Sequence, residues 1–217
     1  MSALPILART LLVGVTAIVV ILVPGVLLGY LLARARFPGR HLVESLTALP
    51  MVLPPVAVGL VLLLLLGRDG PLGFLDVLFT WPAAAIASAV IAFPLLVRAC
   101  EQAFFEVPPR LESVSRSLGA SRTRTFLSVT LPLARRGIAY GTLLAFARAI
   151  GEFGATTLVA GNIPGRTQTL ALGIYAEIQR GHDGAALGLA AISAVLAMAA
   201  TWVGEAWLRG RRHEARG

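Results

Sequence analysis

The strongest constraint on this chain is a series of apolar runs, each long enough to cross a lipid bilayer. A helix needs about 20 mostly apolar residues to traverse the hydrocarbon core. Leu11–Leu32 runs uncharged between Arg9 and Arg34, Ser45–Gly67 between Glu44 and Arg68, and Val77–Val97 between Asp76 and Arg98. Gly137–Ala160 is equally long but carries Arg148 and Glu152, and Gly184–Gly204 is the fifth run. Hydrophobic residues make up 57% of the chain and charged residues 14%, where soluble domains carry roughly 25% charged residues. So much apolar surface does not fit inside one soluble core. The sequence therefore predicts an all-α fold: a polytopic membrane helix bundle of about five transmembrane helices, one domain over residues 1–217. Thr167–Ile178 has Leu170, Ile174 and Ile178 at helical spacing but is too short to span. It is read as a short helix at the outer interface, or one re-entering the protein interior.

The charges give these spans a direction. All 19 basic residues are arginine, and the net charge is +8. On a soluble chain that excess would suggest nucleic acid, but here the charges lie between apolar runs and topology accounts for them. One side collects fourteen arginines, in the 34–40 loop, the 98–136 loop and the C-terminal tail; the other holds Arg9, Arg68, Arg166 and Arg180. Cytoplasmic loops carry the excess of basic residues, so the N-terminus is expected outside and the C-terminus in the cytoplasm. Pro24, Pro50, Pro54, Pro55 and Pro94 lie inside the runs. Each removes a backbone donor and tends to kink or break its helix. Broken helices at membrane depth fit both a pathway lining and ordinary kinked packing.

The longest polar loop has its own organisation. From Glu106 to Pro132 it reads EVPPRLESVSRSLGASRTRTFLSVTLP. Pro109 suits a first helical position, and Leu111, Val114 and Leu118 recur at spacings of three and four. Gly119 is placed to stop that helix, Ser121 can cap a second short one, and Pro132 precedes the fourth span. The expectation is a basic, amphipathic helix–glycine–helix elbow at the cytoplasmic ends of the spans. An interfacial helix anchored by arginines to lipid phosphates fits the same residues.

The spacing from Gly119 through nine residues to Val129-Thr130-Leu131-Pro132 resembles the EAA loop of ABC-importer permease subunits. That pattern reads Glu-Ala-Ala, three residues, Gly, nine residues, Ile-x-Leu-Pro. Its Glu-Ala-Ala positions fall on Ser113, Val114 and Ser115, so the glutamate is absent there, and Glu112 lies one residue earlier. In that family the elbow docks into a groove on the ATPase subunit. The resemblance thus implies an ATPase-coupling loop containing Glu112, Ser113, Ser115, Gly119, Ala120, Ser121, Leu131 and Pro132. It extends further. Ala145-Phe146-Ala147-Arg148-Ala149-Ile150-Gly151-Glu152-Phe153-Gly154-Ala155-Thr156 and Ala160-Gly161-Asn162-Ile163-Pro164-Gly165-Arg166-Thr167-Gln168-Thr169-Leu170 are similar to molybdate permease subunits. Sulfate permeases are close relatives, usually with tyrosine at the position of Phe153.

What the resemblance implies is a permease subunit in the bacterial plasma membrane, part of an ATP-driven importer for a tetrahedral oxyanion. The cargo would be molybdate or tungstate, with sulfate or thiosulfate as the alternative. Implied partners are ATP-binding cassette ATPase subunits, an external oxyanion-binding protein and a second copy of this chain; no cofactor is implied.

Arg148 and Glu152 lie four residues apart and share one helix face. Arg148 is about 11 residues into its run, or roughly 16 Å at 1.5 Å per residue, near mid-membrane. Each charge facing lipid there would cost about 2.5–3.5 kcal/mol, so the two are expected to pair. The pair, with Phe153, is either a pathway element, Arg148 offering positive potential to a passing dianion, or a structural tie between spans. Gly137, Gly141 and Ala145 form a small-residue face on the same run, and Gly184 and Gly188 another on the fifth. Such faces let helices approach closely, within a subunit or between two.

The function classes that remain are few. No GxxxxGK[ST] phosphate loop, HExxH or GxSxG is present, and His41, His182 and His213 are far apart. No catalytic or metal-ligating residues are therefore assigned, and ATP hydrolysis is expected on a separate subunit. A self-sufficient ion-coupled transporter or channel would need carboxylates inside its spans. Glu152 alone is available, and it sits beside an arginine.

Overall fold

In the computed structural model, the backbone is described for residues 3–214 and the side chains for residues 3–204. The tail arginines, Trp207 and His213 have side chains outside that range. Helix α1 (Ala3–Arg34) covers the first run and passes through Pro24 without interruption. Helices α2 (Arg40–Val52) and α3 (Pro55–Leu66) divide the second run. Helix α4 (Trp81–Phe105) is the third, continuous through Pro94. Helices α5 (Pro109–Ser117) and α6 (Arg122–Thr125) form the elbow. Helices α7 (Leu131–Ile150) and α8 (Gly154–Ala160) divide the fourth run. The short α9 (Leu170–Gln179) precedes α10 (Asp183–Glu214). Three helices are long and apolar enough to span, and the two divided runs make five.

The divided runs are bent sharply, α2 to α3 by 108° and α7 to α8 by 61°. Their causes differ. Of the prolines in the second run, Pro50 stays inside α2. The break falls at Leu53–Pro54, where each of two successive prolines pushes the residue before it out of helical geometry; Leu53 and Pro54 are extended, with ψ of 147° and 132°. The α7–α8 break contains no proline. There Gly151 leaves the helix, and the chain restarts at Gly154.

The start of the fourth span departs from the sequence expectation. Rather than a short helix ending before Pro132, the chain is helical from Arg122 to Ile150, through a π-helical turn at Phe126–Thr130. In that turn Leu131 N–H bonds to Phe126 C=O, five residues back. The wider coil accommodates the proline ring and its missing donor, which would clash in a regular α-helix.

Packing explains the small residues. The central core joins α1, α4 and α7 through Ala17, Ile21, Leu96, Cys100, Phe104 and Ala145. A Cβ at Gly137 would lie 2.6 Å from Ala103 Cβ, and one at Gly141 would collide with Ala99, so the α7 small face is used within the subunit. The face on α10 is not: nothing lies within 4 Å of a Cβ placed at Gly184 or Gly188. A second core joins α3, α4 and α8 through Val58, Leu62, Ala84, Ala155 and Val159. The α9 segment packs Leu170 with Ile6 and Leu189, and Leu170 N–H donates to Thr10 Oγ1 at 2.8 Å.

Candidate functional site

The elbow is built by local rules and then tied down by long-range contacts. Pro109 occupies the first turn of α5. The helix ends where Gly119 N–H bonds to Arg116 C=O and Ala120 N–H to Ser115 C=O, at 3.0 and 3.2 Å. This is the paired-bond glycine terminus of a Schellman motif, and Gly119 takes the left-handed φ of 86° it requires. Ser121 Oγ then accepts from Arg124 N–H at 3.2 Å and caps α6. Ser115 and Thr125 join the two arms through their hydroxyls at 3.1 Å. Ser113 is exposed; its hydroxyl donates to Pro109 C=O at 3.1 Å and its C=O accepts from Ser117 Oγ at 3.0 Å, both within its own helix. Leu131 and Pro132 follow in the first turn of α7.

Glu112 turns inward and clasps three parts of the chain. Its Oε1 accepts from Arg34 Nη2 at 3.0 Å, from Arg34 Nε at 3.2 Å and from Thr130 Oγ1 at 2.9 Å. Arg34 Nη2 also donates to Val107 C=O at 2.7 Å. The end of α1, the start of the elbow and the entry to α7 thus meet at one carboxylate. Below the clasp Tyr30, Phe104 and Phe126 pack as a ring cluster, with centroids 4.7–6.0 Å apart. Leu111, Val114 and Leu118 stay exposed, Leu118 at 84%. The elbow therefore presents an apolar stripe outward while its polar face is bound to the bundle.

The mid-span pair sits at the α7–α8 break. Arg148 Nη1 lies 2.9 Å from Glu152 Oε2, with side-chain exposures of 38% and 2%. The other carboxylate oxygen of Glu152 accepts from Ala155 N–H at 2.9 Å. One buried carboxylate thus bonds both to the last turn of α7 and to the first turn of α8. Phe153 packs against Tyr175 of α9, ring centroids 5.0 Å apart.

The structure brings the elbow residues together and sets the Arg148–Glu152–Phe153 group at the far end of α7. Two features have no local sequence signal. Arg34 pairs with Glu112 across 78 positions. Phe79, with a left-handed φ of 58°, donates its N–H to Val159 C=O at the end of α8 at 2.8 Å. Among the described residues no group of three or more His, Cys, Asp or Glu side chains is placed to hold a metal.

Comparison with known proteins gives concordant results. Residues 25–213 match the family described as "Binding-protein-dependent transport system inner membrane component". The chain is 45% identical to the molybdenum transport system permease protein ModB of Escherichia coli K12, covering 85% of this chain and 83% of that one. It is 38% identical to the sulfate transport system permease protein CysW of Synechocystis, covering 80% of this chain and 65% of that one. Among solved structures, a bacterial ABC transporter involved in alginate import aligns over 95% of this chain and 78% of its own. Its TM-score is 0.75 at 16% identity, a likeness of fold.

Proposed function

The chain belongs to the family of binding-protein-dependent transport system inner membrane components, and from that premise we propose that it is the membrane-spanning subunit of a molybdate importer. What carries the cargo assignment is the 45% identity to a molybdenum permease over 83% of that protein's length. Tungstate shares the charge and tetrahedral shape of molybdate and is expected to follow the same path. A sulfate or thiosulfate cargo is the alternative, favoured by the 38% identity to a sulfate permease.

ATP hydrolysis is assigned to separate ATPase subunits, which the elbow would engage through the exposed stripe Leu111, Val114 and Leu118. Glu112, Ser115, Gly119, Ala120, Ser121, Leu131 and Pro132 would shape and hold the elbow, with Ser113 on its exposed surface. The elbow end would face the cytoplasm, with the N-terminus outside, as the arginine distribution supports. A homodimer is supported by α10, where a Cβ placed at Gly184 or Gly188 would meet no described residue within 4 Å. An external binding protein would deliver the oxyanion, and Arg148 would contribute positive potential along the path.

The test is reconstitution of this chain with its ATPase and binding protein in proteoliposomes. ATP-dependent uptake of labelled molybdate, competed by tungstate and not by sulfate, is the expected result. Uptake of sulfate alone would overturn the cargo assignment, and uptake without the ATPase would overturn the coupling.

A further inference from the structure

Beside the elbow lies a groove of about 530 Å³ that the coupling role leaves unused. Its apolar wall comes from Leu27, Tyr30 and Leu31 of α1, with Phe126 of the π-helical turn, and Arg116 and Arg122 stand on its polar side. Leu27 and Leu31 belong to the last two turns of a membrane-spanning helix and are 56% and 44% exposed. At the end of a spanning helix, such positions are expected near the boundary between hydrocarbon and headgroups. Arg34 also borders the groove, but Glu112 neutralises it at 3.0 Å. Arg116 and Arg122 are exposed, and their guanidinium groups make no hydrogen bond or ion pair among the described residues. On α5, Arg116 is four residues from Glu112 and shares its face. Leu111, Val114 and Leu118 lie off that face, so the arginine is directed away from the stripe assigned to the ATPase.

We propose that this groove binds one anionic phospholipid, its acyl chain against Leu27, Leu31 and Phe126 and its phosphate between Arg116 and Arg122. Two uncompensated guanidinium groups select a headgroup of net negative charge, since arginine pairs with phosphate in a bidentate manner. The apolar wall selects a lipid over a free anion. The elbow would then be anchored on one side to the bundle, through Glu112, and on the other to the cytoplasmic leaflet. This site goes beyond the transport reading and requires neither its cargo nor its ATPase.

Native mass spectrometry of the full chain in detergent, titrated with phosphatidylglycerol or phosphatidylcholine, tests the site. Phosphatidylglycerol is expected to be retained in preference. The double variant R116Q/R122Q is expected to hold it about 30-fold more weakly, the loss for two arginine contacts to an anionic lipid. R110Q, on another face of α5, should leave retention unchanged. Equal retention by wild type and R116Q/R122Q would overturn the proposal. Displacement of the lipid by excess inorganic phosphate would assign the arginines to a free anion and overturn it. So would a double variant that keeps the lipid but no longer binds its ATPase. Both arginines are exposed and unpartnered, so the variant is expected to fold.

Discussion

Replacing Glu112 with alanine should loosen the elbow without unfolding the bundle, and the size of the effect follows from the clasp. The substitution removes the acceptor for two Arg34 nitrogens and for Thr130 Oγ1. The partners Arg34 and Glu112 are 17% and 12% exposed, so the pair lies between two regimes. Exposed pairs contribute about 0–1 kcal/mol, and breaking a buried pair costs about 3–5 kcal/mol. Arg34 keeps its bond to Val107 C=O, which limits the loss. An intermediate value of about 2 kcal/mol follows, equivalent to about a 30-fold rise in local opening. Hydrogen exchange reads that quantity directly, because local opening free energies set amide protection. Amides of Leu111–Leu118 should exchange about 30-fold faster in Glu112→Ala, while those of Leu96 and Val97 in the buried core stay unchanged.

Two further variants make the reasoning refutable. Glu112→Gln keeps an oxygen acceptor but loses the charge, and should cost about 1 kcal/mol, roughly half. Arg34→Ala combined with Glu112→Ala should cost less than the sum of the two, since both act through one interaction. Unchanged elbow exchange in Glu112→Ala, or strict additivity in the double variant, would show that the carboxylate does not hold the elbow.

Four other outcomes follow. Gly119→Ala must adopt the φ of 86° and should cost about 1–2 kcal/mol, lowering transport per ATP hydrolysed while membrane expression persists; Gly119→Asn should be milder. Gly141→Leu would force α7 away from Ala99 of α4, and should abolish recovery of folded protein in detergent. Glu152→Gln retains an acceptor for Ala155 N–H but leaves Arg148 uncompensated, whereas Glu152→Ala loses both contacts. If the pair is only a structural tie, Glu152→Gln should transport nearly as wild type and Glu152→Ala should show a lower Tm. The Glu177 carboxyl is held below its usual range by hydrogen bonds from His182 and then Arg180. A depressed carboxylate stabilises the folded state above its ordinary pKa of about 4.3 and loses that contribution as pH falls through the lowered value. Protection of the α9–α10 turn amides should therefore persist at neutral pH and fall on acidification below about pH 4.

The sequence made some of this fold legible and hid the rest for identifiable reasons. Span number was readable because apolar length is a local property, set by bilayer thickness. The elbow was readable because Pro109, Gly119 and Ser121 act within a few residues of themselves. The breaks were harder. Six prolines lie inside the runs, yet only the adjacent Pro54 and Pro55 fall at a break; Pro24, Pro50 and Pro94 stay within their helices, and Pro82 sits at the start of α4. The α7–α8 break has no proline and depends on a carboxylate that caps the restart. Glu112 stands one residue from the position of the expected glutamate, but its partner Arg34 is 78 positions away. No spacing rule connects them, so the clasp appears only when α1 and the elbow are brought together.

These features combine into a mechanical reading of the subunit. From Arg122 to Ile150 the chain is helical, about 43 Å at 1.5 Å per residue. A tilt of about 5° at the elbow would carry the far end of such a rod about 4 Å. The far end is where Glu152 grips both Arg148 on α7 and Ala155 N–H on α8. Beyond it α8 crosses α3 so closely that a Cβ at Gly59 would lie 2.7 Å from Ala155 Cα. Any displacement of α8 would therefore be shared by α3, the second half of the other broken span. A continuous helix in either position would resist that displacement along its whole length. Under the proposed function, the breaks at 53–54 and 151–153 would let α3 and α8 move as a pair, with Glu152 as the joint that would pass motion on from the elbow.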